Sequence, residues 1–451
     1  MAGAASLEVM LPRGIPLGGY GGFPRRAWLP DVLGRSPYTF WFSPSTGVHD
    51  PFRVRSLILQ WQDLRVLWLA VDLVGIDPTL VSALKERLGS HGLSYSALII
   101  SASHTHSGPG AYVESALFGF VAIDRVSSTV RDRILDGLER AAREAESRKV
   151  PAIVALGRTE VTGLAESRVH EALDPELGLV KVMEVNRRRP VALVWNYAIH
   201  GTALGQDNFL LSGDLMSEAS ARLERAVGVP ALFVNGAVGD VSPRRRGWAG
   251  VKAAGEALAT GALRAWTEAR GEPGRLEVAR ERVALPRATV ALKNCVGGWA
   301  PAWMTLGVSE AFPASAELIA LAIGRTAWVV VPGELETRLG LDIKQAGRER
   351  FSHVFIAGVS NDYLGYFLAP DHYRQPSYIA CASLYGERGG DIIRDAAIAA
   401  IRRLGVAESA GETRAVSEGA STAPPKPPPT KRVAPAKPAL ERGPVTRAVL
   451  G

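Results

Sequence analysis

Runs of Val, Ile and Leu alternate with segments of helical periodicity along most of the chain, and this alternation constrains the fold more than any other feature. It has no fixed repeat period and no internal linker, so we predict one large α/β domain over residues 1–406. The runs 54–61 and 65–72, joined at Gln62 and Asp63, are typical of a hairpin. A hairpin makes neighbouring strands antiparallel, so the predicted sheet is mixed, with helices flanking it. The other predicted strands are 97–101, 151–156, 178–185, 191–198, 230–235, 276–285, 316–323, 327–331 and 353–359, and the predicted helices are 78–88, 127–148, 215–226, 251–270, 335–348 and 391–404.

Residues 407–451 differ in composition from the rest of the chain. They contain eight of the 29 prolines and no aromatic residue. Such a segment cannot bury enough apolar surface to offset the conformational entropy that ordering would cost. We therefore predict that residues 407–451 form a disordered tail rich in Pro, Ala and Lys.

The net charge is +7, from 52 Lys and Arg against 45 Asp and Glu, and a basic chain raises the question of a polyanionic partner. Seven of the basic and four of the acidic residues lie in 407–451, which leaves a net charge of only +4 on residues 1–406. The chain also lacks the interleaving of aromatic and basic residues that nucleic-acid modules use. We therefore expect no nucleic-acid partner.

Cysteine occurs only at Cys295 and Cys381, which excludes a disulfide framework and a Cys-ligated zinc finger. Any metal site must therefore use His, carboxylate or phenol ligands. No apolar run reaches the roughly 18 residues that a membrane span needs, and the N-terminus lacks the basic start and apolar core of a signal peptide. The default expectation is a cytoplasmic protein, or a secreted or periplasmic one if the start codon is misassigned.

Histidines follow two of the predicted strands. His104 and His106 lie in Ser-His-Thr-His-Ser-Gly-Pro-Gly, directly after the strand 97–101. Residues i and i+2 of an extended chain point to the same side, so these two imidazoles could converge on one point. His200 follows the strand 191–198, and neutral imidazole is the commonest zinc ligand. The alternative is that all three are polar loop residues with structural hydrogen bonds.

Three further strand ends carry polar side chains. Ser242, in Gly-Asp-Val-Ser-Pro, precedes a proline and is therefore held extended, which suits a presented hydroxyl. Glu334 lies between a strand and a helix, where it could bind a metal or favour the helix N-terminus electrostatically. Tyr363 and Tyr366, after the strand 353–359, could be packing residues with solvated hydroxyls. Taken together, these strand ends supply the N and O ligands of a catalytic zinc site, although motifs such as His-Glu-x-x-His are absent.

Four motifs in order, Ser-His-Thr-His-Ser-Gly-Pro-Gly, Gly-Asp-Val-Ser-Pro, Pro-Gly-Glu and Asn-Asp-Tyr-x-Gly-Tyr, resemble those of the neutral and alkaline non-lysosomal ceramidase family. Its members are zinc-dependent amidases that cleave the fatty-acyl amide of ceramide to sphingosine and a fatty acid. The opening segment 2–21 is similar to the family's N-terminal strand and Gly-Tyr turn. The resemblance covers about residues 2–405, and so only the family's N-terminal catalytic domain.

The resemblance also implies roles for individual residues. The ligands that it implies, for one Zn²⁺ per chain, are His104, His200, Glu334 and Tyr366. The other active-site residues that it implies are Ser242, His106, Arg168 and Tyr378. His106 would be an acid/base or a hydrogen-bond donor, and Arg168 and Tyr378 match an active-site arginine and tyrosine. Ser242 matches an essential serine, either a nucleophile or a hydrogen-bonding residue, and no sequence-adjacent base supports the nucleophile.

The sequence departs from the family pattern on the side that would face the substrate. Arg244 stands where Asn usually follows Ser-Pro, Asn-Arg-Ser-Pro has become Ser-Arg-Val-His at 167–170, and Ile379 replaces a Glu. The expected activity is zinc-dependent hydrolysis of ceramide or a related N-acyl lipid. A zinc hydrolase of another N-acyl amide or ester, and a non-catalytic lipid-binding protein, are the alternatives.

The expected partner is a lipid-like N-acyl amide substrate, with peripheral membrane contact as a further expectation. The stretch 296–308 contains Trp299 and Trp303 among apolar residues. It could line an entrance for the acyl chain, or it could be ordinary core or lid packing.

Overall fold

A computed structural model of the chain describes residues 1–272, 274–301 and 303–405. The predicted tail, 407–451, lies outside the described residues, so its disorder and the domain boundary before it stay predictions. The strands are β1 (Ala2–Glu8), β2 (Gly47–Val48), β3 (Arg53–Trp61), β4 (Leu64–Val71), β5 (Ala97–Ala102), β6 (Ala152–Glu160), β7 (Ala165–Ser167), β8 (Glu176–Glu184), β9 (Pro190–Tyr197), β10 (Leu210–Leu211), β11 (Ala231–Asn235), β12 (Val241–Pro243), β13 (Arg270–Gly271), β14 (Leu276–Ala284), β15 (Thr289–Ala291), β16 (Thr305–Gly307), β17 (Ser315–Ile323), β18 (Thr326–Val330), β19 (Glu334–Leu335), β20 (His353–Ala357) and β21 (Tyr366–Phe367).

Helices lie between and around these strands, and a π-helical turn, Gly119–Ile123, and a 3₁₀ turn, Gly297–Trp299, complete the described elements. The long helices begin and end within a few residues of the predicted bounds, because their apolar residues recur at helical spacing and mark one buried face. The helices are α1 (Pro78–Ser90), α2 (Ala116–Phe118), α3 (Ser128–Ser147), α4 (Asp214–Val227), α5 (Gly247–Glu268), α6 (Leu292–Val296), α7 (Thr337–Gly347), α8 (Pro370–Tyr373), α9 (Tyr378–Cys381) and α10 (Gly389–Arg403).

The mixed α/β fold is confirmed, although the strands are divided among several sheets instead of one. The three larger sheets have the orders β1-β3-β4-β5, β11-β9-β8-β6-β13 and β14-β17-β18-β20. The predicted hairpin is β3–β4, with Trp61 paired to Leu64, whereas β4–β5, β9–β11 and β18–β20 are parallel pairs. Periodicity locates a strand but does not identify its partner, so the division into sheets is not visible in the sequence.

One hydrophobic cluster contains buried side chains from all three larger sheets. Trp68 of the first sheet, Val194 of the second and Trp328 of the third all belong to it. The rings of Trp68 and Trp328 meet edge to face, with centroids 5.0 Å apart. The three sheets therefore share a core, and the polar segments that follow β5, β9, β11, β18 and β20 can converge beside it.

The two cysteines form one disulfide, Cys295–Cys381, which the sequence analysis did not predict. The bond joins two short helices, α6 and α9, through cysteines that are 86 positions apart in the chain. Cys381 ends the helix that begins at Tyr378, one of the predicted site residues. Within the described part of the chain, no helix combines the length and the hydropathy needed to cross a membrane.

Candidate metal centre

The segments after β5 and β9 are hydrogen-bonded to each other, and this pairing brings their histidines together. The backbone N–H of His106 donates to the carbonyl of Gly201 at 2.8 Å, and the N–H of Gly201 donates to the carbonyl of His104 at 3.2 Å. A Cβ on Gly201 would lie 2.5 Å from the Cα of Thr105, so only glycine allows this approach. His104 itself has φ 64°, a left-handed conformation that β-carbon-bearing residues seldom adopt.

Glu334 and Tyr366 reach the same region through a short parallel ladder. Glu334 begins β19 and is paired with Tyr366, which begins β21. The N–H of Glu334 also donates to the carbonyl of Gly365 at 2.9 Å. Paired residues of a ladder project from the same face, so the Glu334 and Tyr366 side chains leave it together.

Three buried donor atoms converge at the centre: Nε2 of His104, Nε2 of His200 and Oε2 of Glu334. The two nitrogens lie 3.3 and 2.9 Å from Oε2, respectively. None of the three atoms has a hydrogen-bond partner among the described residues, and the three residues are at most 1% exposed. Two ligand atoms about 2.1 Å from a tetrahedral zinc lie roughly 3.4 Å apart, so the donor set fits a zinc ion.

Hydrogen bonds on the far sides of the two imidazoles orient their free nitrogens. Nδ1 of His104 contacts the carbonyl of Val74 at 2.5 Å, and Nδ1 of His200 contacts the carbonyl of Val241 at 2.8 Å. A proton on each Nδ1 satisfies the carbonyl and leaves the Nε2 lone pair directed at Glu334. Histidine ligands of metals are held in this way by their second nitrogen.

Burial and neighbouring charge set the protonation of the donor set. Burial lowers the pKa of His200 to about 3, since the charged imidazolium would lose its hydration. Burial alone would raise the pKa of Glu334, but the adjacent His104 and His200 outweigh it and hold that pKa well below the usual range. At neutral pH a neutral imidazole and an ionised carboxylate therefore face the centre, as cation binding requires.

His106 adds a third imidazole to the cluster. The nearest ring nitrogens of His104, His106 and His200 all lie within 4.8 Å of one another, so these three could also hold a metal ion. Neither ring nitrogen of His106 has a hydrogen-bond partner in the described part of the chain. Its ring instead packs against Tyr20, with centroids 4.9 Å apart. Because His106 lacks the orienting bond of the other two, we prefer His104, His200 and Glu334 as ligands.

Arg168, Ser242, Tyr366 and Tyr378 form a hydrogen-bonded group beside the histidines. Nε of Arg168 donates to Oγ of Ser242 at 2.8 Å. One terminal nitrogen of Arg168 donates to the phenol oxygens of Tyr366 and Tyr378, at 3.3 Å each, and the two phenols are hydrogen-bonded to each other. The structure therefore brings together all four residues, although zinc ligation by Tyr366 stays a prediction.

Tyr363 contacts Glu334, and the sequence did not predict this contact. Its hydroxyl donates to Oε1 of Glu334 at 2.5 Å, the carboxylate oxygen that faces away from the histidines. Tyr363 lies in the same Asn-Asp-Tyr-Leu-Gly-Tyr motif as Tyr366. The motif therefore indicates that a tyrosine lies near the site, but the spacing of the two tyrosines does not show which phenol reaches the carboxylate.

The bond from Tyr363 predicts an effect on metal affinity. Tyr363→Phe removes the hydroxyl that orients Glu334, and loss of such a support typically weakens metal binding about 10- to 100-fold. Competition with a zinc-binding dye measures the affinity. Tyr95→Phe is the matched control, because Tyr95 donates to a carboxylate oxygen of Glu146 just before β5, at the end opposite the histidines. Equal zinc affinities of the two variants would contradict this role.

Trp299 and Trp303 are exposed, by 93% and 78%, so the core-packing interpretation of these two side chains is wrong. They follow α6, which the disulfide and a hydrogen bond from the Ser377 N–H to the Asn294 carbonyl join to the segment of Tyr378. The expectation that the stretch 296–308 lines an acyl-chain entrance stays a prediction.

The amino-acid sequence is similar to those of known proteins. The family described as "Neutral/alkaline non-lysosomal ceramidase, N-terminal" matches residues 38–259. A neutral ceramidase of Mycobacterium tuberculosis is 27% identical over 229 residues, which cover 44% of this chain and 36% of that protein. A neutral ceramidase of Pseudomonas aeruginosa is 25% identical over 163 residues, 32% of this chain and 24% of that protein. The chain thus matches well under half the length of these curated relatives.

Solved structures share the fold over a longer stretch. The crystal structure of neutral ceramidase from Pseudomonas aeruginosa superimposes with a TM-score of 0.75 at 18% identity, covering 90% of this chain and 75% of that one. A structure described as ceramidase complexed with C2 gives a TM-score of 0.77 at 17% identity, covering 94% and 77% of the two chains. At these identities the likeness shows a common fold.

Proposed function

We propose that this chain, whose residues 38–259 match the neutral/alkaline non-lysosomal ceramidase family and which is similar to neutral ceramidases, is a zinc-dependent amidase that hydrolyses ceramide or a related N-acyl lipid. The products would be a fatty acid and an amine, a sphingoid base in the case of ceramide. The ligands of the zinc would be His104, His200 and Glu334, with the phenol of Tyr366 as a fourth.

The single observation that carries the proposal is the convergence of three buried, unpartnered donor atoms from His104, His200 and Glu334. An unsatisfied buried polar group costs about 1–3 kcal/mol, so a fold does not keep three of them at one point without a use for them. A zinc ion bound there would activate a water molecule and polarise the acyl carbonyl of the substrate.

Arg168, Tyr366 and Tyr378 are the groups that could stabilise the charge that develops on the acyl oxygen. The guanidinium carries N–H donors and each phenol carries one O–H donor, and the hydrogen bonds among the three groups hold them in place before the substrate arrives. Donors oriented in advance stabilise a transition state more than solvent does, because they need no reorganisation during the reaction.

Ser242 fits a hydrogen-bonding role better than a nucleophilic one. Its hydroxyl accepts from Nε of Arg168, and no histidine of the described residues lies within hydrogen-bond distance of it to act as a base. His106 is the candidate for carrying a proton to the leaving amine, because both of its ring nitrogens are free of other partners.

A panel of N-acyl amines, ceramide among them, together with the matching esters, tests the proposal. We expect release of fatty acid from at least one amide by protein that contains one zinc per chain. Hydrolysis of other amides or esters but not of ceramide would move the assignment to the second candidate, a zinc hydrolase of a different acyl substrate. Absence of both zinc and hydrolysis would instead favour a non-catalytic lipid-binding protein.

A further inference from the structure

A cavity of about 800 Å³ adjoins the candidate centre on the side of Ser242. Its wall includes Arg168 and Ser242, which belong to the hydrogen-bonded group. It also includes Arg244 and His170, which have no role in the proposed hydrolysis. The rest of the wall comes mainly from residues 161–175 and includes the carboxylates of Glu166, Glu171 and Asp174. The wall combines these charged groups with apolar side chains such as Val161 and Leu173. A charged side chain that lacks a partner in such a wall favours a ligand group of opposite charge.

A two-stranded ladder holds Arg244 in this wall. Strands β7 and β12 pair antiparallel, with Ser242 opposite Glu166. The ladder continues beyond β12, since the N–H of Arg244 donates to the carbonyl of Leu164 at 2.9 Å. Arg244 follows Pro243, the last residue of β12, and its exposed side chain lines the same cavity as Ser242. At the other end, the N–H of Arg168 donates to the carbonyl of Asp240 at 2.7 Å. The ladder therefore presents two guanidinium groups on either side of the serine.

Each carboxylate of the wall lies near a basic side chain. Glu166 lies 3.8 Å from a guanidinium nitrogen of Arg246, and Asp174 lies 2.5 Å from Nζ of Lys344. Glu171 lies 3.6 Å from Nε2 of His372 and 4.0 Å from Arg338. Each acidic group of the wall thus has a basic partner outside the cavity.

Arg244 has no such partner, since it makes no ion pair among the described residues. Arg168 is hydrogen-bonded to hydroxyl and carbonyl oxygens, and the Glu334 carboxylate acts on its charge. The wall therefore carries one arginine, Arg244, whose charge has no ion-pair partner in the described part of the chain, two residues from Ser242. Arginine presents a planar fork of N–H donors that matches the oxygens of a carboxylate or phosphate.

We propose that this cavity binds an anionic group, a carboxylate or a phosphate, on the amine portion of the amide substrate, with Arg244 as its principal contact. The inference rests on the proposed amidase function and names the class of substrate. The acyl portion requires apolar surface, so the charged group belongs to the leaving amine. Amides of acidic amines are then preferred over amides whose amine portion is uncharged, as it is in ceramide.

A matched series of short N-acyl compounds tests the proposal. N-hexanoylethanolamine, its phosphate ester and N-hexanoylglycine share one acyl chain and differ in the charge on the amine portion. The corresponding hexanesulfonamides, which an amidase does not hydrolyse, allow binding to the full zinc-containing chain to be measured by calorimetry. We expect at least one anionic sulfonamide to bind about tenfold more tightly than the neutral one, as a charge-assisted contact to arginine implies. Which anion binds best distinguishes carboxylate from phosphate.

Variants of Arg244 identify the contact. Arg244→Gln should bring the ratio of anionic to neutral affinity to within about threefold of one, while Arg244→Lys should keep part of the preference because it keeps the charge. Arg187→Gln is the matched control, because Arg187 is an exposed arginine in the turn between β8 and β9 and does not line the cavity. Circular dichroism checks that each variant is folded.

The binding and hydrolysis measurements distinguish a failure of the anion site from a failure of the proposed amidase function. Equal binding of the three sulfonamides, or a preference that survives Arg244→Gln, would overturn the anion site even if the amides are hydrolysed. Anion-selective binding that depends on Arg244 would support the site, and failure to hydrolyse the matching amides would then count against the amidase function alone.

Discussion

Replacing His104 with alanine is expected to abolish zinc binding and amide hydrolysis together. His104 contributes one of the three converging donor atoms, and its removal leaves the Glu334 carboxylate facing only His200. A zinc ion held by these residues would supply both the activated water and the polarisation of the carbonyl, so we expect activity to fall at least about a thousandfold. Atomic absorption measures zinc in the purified variant, and the release of fatty acid measures the activity.

His91→Ala is the matched control for this substitution. His91 is an exposed histidine at the end of α1 that contacts Glu139 at 3.0 Å, and it should leave zinc content and activity unchanged. Because His104 is fully buried, thermal unfolding should confirm that the His104→Ala protein is folded. Full activity in zinc-free, folded His104→Ala protein would refute the metal mechanism.

Arg168→Met is expected to have the second largest effect, through a different step. It removes the donor to Ser242 and the donor shared with Tyr366 and Tyr378, while the three converging ligand atoms remain. Loss of one donor to a developing oxyanion typically lowers kcat about 10²- to 10³-fold. We expect a decrease of that size in kcat with zinc content unchanged at one per chain.

Two results would distinguish this role from a structural one. Arg168→Lys should recover part of kcat, because it restores the charge but not the planar fork of donors. Activity of Arg168→Met within about threefold of the unaltered protein would mean that this guanidinium does not contact the reacting atoms. Loss of zinc in the same variant would place Arg168 in support of the metal ligands instead.

The sequence predicts the strands, helices and hairpin that form between residues close together in the chain. The hairpin of β3 and β4 was predicted because its strands are adjacent in the chain and Gln62, with φ 51°, supplies the turn. The polar segments after β5, β9 and β20 were identified because buried apolar runs end where they begin. The grouping into three larger sheets was not predicted, because it depends on pairs such as β18–β20, which are distant in sequence.

At the site, the sequence likewise predicts individual residues but not the contacts between residues that are distant in the chain. His104 and His200 were named from their positions after strands, whereas their convergence depends on the hydrogen bonds between His106, Gly201 and His104. The role of Tyr363 was missed because two phenols lie three residues apart and only the backbone path decides which one reaches Glu334. The pairing of Cys295 with Cys381 was missed because α6 and α9 meet only in the folded chain.

We propose that this chain hydrolyses amides with a zinc ion held by His104, His200 and Glu334. The most direct test is hydrolysis of the N-acyl amine panel before chelation, after chelation and after zinc is returned, with zinc measured in each sample. We predict about one zinc per chain at the start, loss of hydrolysis as the zinc is removed, and recovery when it is restored. Hydrolysis that continues undiminished in zinc-free protein would contradict the account.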